Sequence, residues 1–88
     1  MRYSVIWMPS ALADLAEIWT NSNRRHAVTS ASTRIDQQLA NAPMDVGESR
    51  EGSIRVFIQF PLGVLYEVDE ASRLVVIRAV WNIRPPRS

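Results

Sequence analysis

The spacing of apolar residues along this chain changes once, near residue 53, and that change limits the folds open to it. Before it, Ala11, Leu12, Leu15, Ile18 and Trp19 recur at helical spacing with Asp14 and Glu17 between them, and Val28, Ala31, Ile35, Leu39 and Ala42 form a second such stripe. After it, β-branched and aromatic residues fill Ile54 to Phe60, Gly63 to Val68 and Arg73 to Trp81. A chain with two helical stripes followed by three short strands belongs to the α+β class.

Prolines and turn residues place the boundaries. Tyr3 to Met8 reads as a first strand, and Pro9 suits the opening turn of a helix, which runs over about residues 9 to 20. Asn21-Ser22-Asn23 makes a turn and supplies a cap. The second helix starts near Arg24 and stops at Pro43, because the residue before a proline avoids helical geometry. So short a join predicts an antiparallel helical hairpin. Residues 43 to 52, with Gly47 and Gly52, read as a polar loop. Phe60-Pro61-Leu62 and Asp69-Glu70-Ala71-Ser72 are turns. The predicted order is β-α-α-β-β-β, an antiparallel sheet with the hairpin packed on one face. Its last three strands form a meander, since their connections are too short for a parallel crossover.

With 88 residues the chain is expected to be one domain over 1–88, with 82–88 a frayed tail. The absence of cysteine excludes disulfides and thiolate metal sites and fits a reducing cytoplasm. One histidine without cysteine leaves no zinc site, and no Gly-rich phosphate loop or nucleophile motif appears. No cofactor is expected. No apolar run approaches the ~20 residues of a membrane helix, and the N-terminus is too short and aromatic for a signal peptide. The net charge is only +1, yet all ten basic residues are Arg, the residue that grips phosphate and carboxylate in bidentate fashion. Arg-biased codon usage would produce the same count.

Three stretches carry a family resemblance. Trp7-Met8-Pro9-Ser10-Ala11-Leu12-Ala13-Asp14-Leu15 is a strand leading into a helix with a small-x-x-Asp-Leu core. Gly52-Ser53-Ile54-Arg55-Val56 is a Gly-x-x-Arg strand entry, and Val64-Leu65-Tyr66-Glu67-Val68-Asp69 is a hydrophobic-Tyr-Glu-Val-Asp strand. Together they resemble the RelE/ParE family of toxins from bacterial type II toxin–antitoxin systems, over nearly the whole chain. The resemblance implies a cytoplasmic toxin neutralised by a cognate antitoxin. RelE-like members cut mRNA in the ribosomal A site, whereas ParE-like members inhibit DNA gyrase. Two positions depart from the nuclease pattern. The family commonly has Arg three residues before the strand Tyr, where this chain has Gly63, and the terminus Trp81-Asn82-Ile83-Arg84-Pro85-Pro86-Arg87-Ser88 lacks the family's catalytic Tyr or His. The rival expectation is a non-toxic interaction module that keeps the fold.

RNA cleavage without a metal needs cations around the phosphate, a base for the 2′-hydroxyl and an acid for the leaving oxygen. The cationic candidates are Arg55, Arg78, Arg84 and Arg87, the last two as RNA contacts; the carboxylates are Glu67, Glu48 and Glu51. Alternation puts Val75, Ile77, Ala79 and Trp81 under the helices and Arg78 on the open face. Pairing Val68 with Arg73 sets Arg78 opposite Gly63, where its guanidinium could replace the missing family Arg. A three-residue loop over Phe60 to Leu62 sets Arg55 opposite Glu67, and a two-residue loop is expected to keep that parity. Arg55, Glu67 and Arg78 would then share the open face as the catalytic group. The plainer reading of that cluster is a cross-strand ion pair. Tyr66 is expected in the core and His26 on the surface. Trp7, Trp19 and Trp81 are expected in the core or at an interface.

Overall fold

The computed structural model describes residues 2–83. Seven elements follow in the order β1 (Ser4–Trp7), α1 (Pro9–Asn21), α2 (Arg25–Asn41), β2 (Glu48–Glu51), β3 (Ile54–Gln59), β4 (Leu62–Asp69) and β5 (Leu74–Asn82). The sheet order is β1-β5-β4-β3-β2. β3, β4 and β5 form the antiparallel meander that their short turns require. β1 lies parallel to β5: the two helices return the chain so that β2 runs opposite to β1, and the three reversals from β2 through β3 and β4 bring β5 back to the direction of β1. The sheet is therefore mixed.

Pro9 opens α1 as expected. The join to α2 is Ser22–Arg24, and here Arg24, not an Asn or Ser, is the N-cap and makes no side-chain capping bond; Ser22 Oγ instead accepts the Arg24 N–H at 2.9 Å. Arg25 closes the other side of the join. Its Nη2 donates to the Thr20 carbonyl at 2.9 Å and its guanidinium lies 4.9 Å from the Trp19 ring centre, a cation at a helix C-terminus and over an aromatic face.

One face of the sheet meets the helices. Ala11 from α1 and Val28, Ala31, Ile35 and Leu39 from α2 pack on Leu62, Val64, Tyr66 and Val68 of β4 and Val75, Ile77 and Val80 of β5. Trp7 Nε1 donates to Asp36 Oδ1 at 2.7 Å, which ties β1 to α2. Leu12 and Trp19, one helical face away from Ala11, stay close to half exposed.

Three expectations about local structure change. The segment 43–52 is not all loop: Glu48–Glu51 pairs with β3 as an edge strand. Its residues are all exposed, so backbone pairing and the Gly52 turn (φ +57°) make it, and no apolar alternation could reveal it. The expected tail begins too early, because Asn82 belongs to β5 and the Ile83 N–H donates to the Pro61 carbonyl at 2.7 Å. The final turn is Glu70–Arg73, not Asp69–Ser72. Asp69 Oδ1 accepts the N–H groups of Ala71 and Ser72, and Arg73 takes φ +56°, so Asp69 pairs with Leu74 and the ladder moves by two residues.

Candidate functional site

The sheet face away from the helices is where β5 leaves regular geometry. The β4–β5 register runs Glu67↔Val76 and Tyr66↔Ile77, then resumes at Leu65↔Ala79, leaving Arg78 as the extra residue of a β-bulge. A bulge bends its strand and re-aims a side chain. Arg78 crosses the open face and its Nη1 donates to Glu67 Oε1 at 2.9 Å. Ser53 Oγ donates to Glu67 Oε2 at 3.2 Å, so both carboxylate oxygens are held. Both partners of the ion pair stay close to half exposed, and an exposed pair of this kind contributes about 0.2–1 kcal/mol.

The bulge also corrects the facing of β5. Val75 and Ile77 turn to the helices as expected, but beyond Arg78 the order reverses: Val80 is buried in the core and Trp81 comes to the open face. Gly63 pairs with Trp81, not with Arg78. A Cβ on Gly63 would lie 2.6 Å from Trp81 Cε2 and Nε1, so the indole occupies the space over this glycine. The idea that Arg78 lies directly across from Gly63 and fills in for a cation there fails on this register.

Arg55 is not part of this cluster. The β3–β4 turn is the two residues Phe60-Pro61, and it pairs Gln59 with Leu62 and Arg55 with Tyr66. A two-residue turn thus does not keep the parity of a three-residue one; removing one loop residue transfers Arg55 from the Glu67 face to the Tyr66 face. There Arg55 Nε donates to the Tyr66 hydroxyl at 3.3 Å, and Nη2 donates to the carbonyls of Met44 at 3.1 Å and of Val46 and Gly47 at 3.3 Å. The Tyr66 hydroxyl in turn lies 2.8 Å from the Pro43 carbonyl and 2.9 Å from that of Val46, which share its single hydrogen. This pair of side chains fastens the α2–β2 connection to the sheet. Burial pushes the Tyr66 phenol above its ordinary pKa, and the neighbouring Arg55 cation offsets part of that rise.

Of the remaining candidates, Glu48 and Glu51 lie on β2, Glu48 at 3.4 Å from Arg50. His26 is exposed in the first turn of α2, as expected. Arg84 and Arg87 lie outside the described residues. Among the described residues no group of three His, Cys, Asp or Glu could hold a metal ion, and no helix is long and apolar enough to cross a membrane. Around Arg78 the open face is apolar, with Leu65 of β4, Val76 of β5, Val56 and Ile58 of β3 and Ile6 of β1. What the sequence missed here is Trp81; only the bulge decides its side.

The chain matches no protein-family model and no curated protein. Its fold, by contrast, has close counterparts. The toxin–antitoxin complex RelBE2 of Mycobacterium tuberculosis contains a chain that superimposes with TM-score 0.77 at 20% identity, covering 93% of this chain and 92% of that one. The chromosomal ParDE system of P. aeruginosa matches at 0.65 and 18% identity over 94% and 98% of the two chains. The isolated E. coli RelE toxin matches at 0.66 and 11% identity over 96% and 87%. Helical hairpin, meander and parallel first strand together give this chain the RelE/ParE-like toxin fold.

Proposed function

We propose that the chain is the toxin of a toxin–antitoxin pair and engages its target through Arg78. The observation that carries this reading is a RelE/ParE-like fold along the described chain whose helix-free face bears a bulge-aimed, weakly paired arginine. A guanidinium so placed can exchange Glu67 for a target phosphate or carboxylate through charge-assisted hydrogen bonds. Glu67, once released, is the carboxylate placed to accept a proton from a 2′-hydroxyl, which would serve metal-independent mRNA cleavage on the ribosome. Arg84 and Arg87 are assigned to RNA contact by the sequence alone. The partner in this reading is an antitoxin segment that folds on contact and covers the apolar residues around Arg78.

A second reading is a non-toxic interaction module of the same fold. It is favoured by a specific observation: among the described residues the open face holds no imidazole or phenol to act as an acid, and Arg55 is committed to the α2–β2 connection. Induced expression in a bacterial host separates the two. The toxin reading expects growth arrest by the parent and none by Arg78→Ala, whose melting shifts by less than ~1 kcal/mol as at other exposed sites. Growth unaffected by the parent would leave the module. For an active toxin, mRNA cleavage on translating ribosomes and DNA supercoiling by gyrase then distinguish the two target classes.

A further inference from the structure

The two edges of the sheet are treated differently. β2 carries Glu48, Ser49, Arg50 and Glu51, all exposed, and such charges discourage another strand from pairing. β1 is Ser-Val-Ile-Trp, with no charge, no proline and no bulge. Its hydrogen bonds show which groups are free. Ser4 N–H donates to the Arg73 carbonyl at 2.9 Å and Met8 N–H to that of Ile77 at 2.9 Å, so the even-numbered residues face β5. The odd-numbered ones point outward, and Tyr3 confirms it by donating away from the sheet to the Ala40 carbonyl at 2.7 Å. Val5 and Trp7 therefore present their N–H and C=O groups at the edge, bounded by the end of α2 on one side and the start of α1 on the other.

We infer that this edge pairs with the same edge of a second copy of the chain. Val5 and Trp7 are equally spaced about Ile6, so a two-fold axis at Ile6 sets Val5 against Trp7 of the second copy, and Trp7 against its Val5. Each of these pairs exchanges two hydrogen bonds, and together they use every free group on the edge. Ile6 then faces its own counterpart in the closer, non-bonded type of pair, about 4.5 Å apart between Cα atoms. Ile6 is 50% exposed on the open face beside Val76, so the contact covers apolar surface that is otherwise half exposed. Two uncharged edges meet without repulsion. The pairing joins two five-stranded sheets into one. A strand of four residues buries much less than the roughly 1,200 Å² at the low end of stable interfaces, so the dimer is weak and depends on concentration.

Sedimentation equilibrium of the full chain from micromolar to millimolar concentration tests this. The parent should approach twice the monomer mass as concentration rises. Ile6→Lys and Ile6→Glu should each remain monomeric with unchanged thermal melting, since Ile6 lies outside the core, and an equimolar mixture of the two should associate again through the opposite charges. A parent that is monomeric throughout, alone or because the edge accepts only a strand from another protein, overturns the inference. So does an Ile6→Lys variant that dimerises like the parent, or a mixture that stays monomeric.

Discussion

Tyr66 is fully buried, yet its hydroxyl sits where two loop carbonyls and the Arg55 guanidinium converge. A buried donor removed from such a set leaves its partners unpaired, so Tyr66→Phe should cost about 1–3 kcal/mol in urea unfolding, although the ring still fills its space. The same group sets a pH dependence. Its pKa is raised in the folded state above the ordinary value of 10.0, so the native chain holds the phenol proton more tightly than the unfolded chain. That contribution is fully present below pH 10.0 and is lost as pH rises through the higher folded value. Stability followed from pH about 9 upward should therefore fall more steeply in the parent than in Tyr66→Phe. Arg55→Met tests the fate of the other partner. With its bonds to the loop lost, it should destabilise by about 2 kcal/mol; loss of activity without loss of stability would instead place Arg55 in the chemistry. Gly47 belongs to the same unit. It has φ +71°, and an added Cβ would collide with the Val56 carbonyl oxygen and come within 2.9 Å of the Tyr66 hydroxyl, so Gly47→Ala meets both strain and a clash.

At the scale of the element, β5 is the strand that the rest of the protein is built around. It is paired on both sides, buries Val75, Ile77 and Val80, and carries the bulge that brings its tryptophan to the open face beside Arg78. Ile77 is inaccessible to solvent, and Ile77→Ala should cost about 2–5 kcal/mol through lost burial and the cavity left behind. Gly63 and Trp81 should behave as a coupled pair. Gly63→Ala forces the indole off the strand and should cost about 1–3 kcal/mol, and most of that cost should vanish when Trp81→Ala is made first. A coupling energy below about 0.5 kcal/mol in that cycle would mean that the indole swings aside freely. Elements with their own apolar rhythm were legible in advance: α2 with Val28, Ala31, Ile35 and Leu39 is buried where its stripe predicts. β2 was not, because its four exposed polar residues have no side-chain pattern that differs from a loop.

At the scale of the whole molecule, the helices protect one face of the sheet and leave the other open, with Arg78, Glu67 and Trp81 set among Leu65, Val76 and Ile58. A monomeric protein that leaves apolar groups together on one face commonly does so for a partner. Co-expression with the product of an adjacent short reading frame should therefore yield a complex stable in mild salt, with Trp81 fluorescence shifted to the blue as its indole leaves water. Separate elution of the two products, or unchanged emission, would count against an antitoxin on this face. Trp7 and Trp19 report from other parts of the molecule, so the shift should be lost in Trp81→Phe.

Fold class and the order of every element but β2 were in the sequence because they depend on short-range quantities: apolar period, proline positions and turn residues. The buried place of Tyr66 and the open-face place of Arg78 and Glu67 also followed from alternation along single strands. The candidate site as a group did not. It depended on pairing register, and register depends on turns whose length is settled by a few competing hydrogen bonds, such as those Asp69 makes to Ala71 and Ser72. One residue fewer in the Phe60-Pro61 turn moved Arg55 to the opposite face, and one residue more in the bulge brought Trp81 out over Gly63. Because strand side chains alternate with a period of two, a change of a single residue reverses every assignment beyond it. Only the packed sheet, which must bury Val80 and pair β5 on both sides at once, selects among those alternatives.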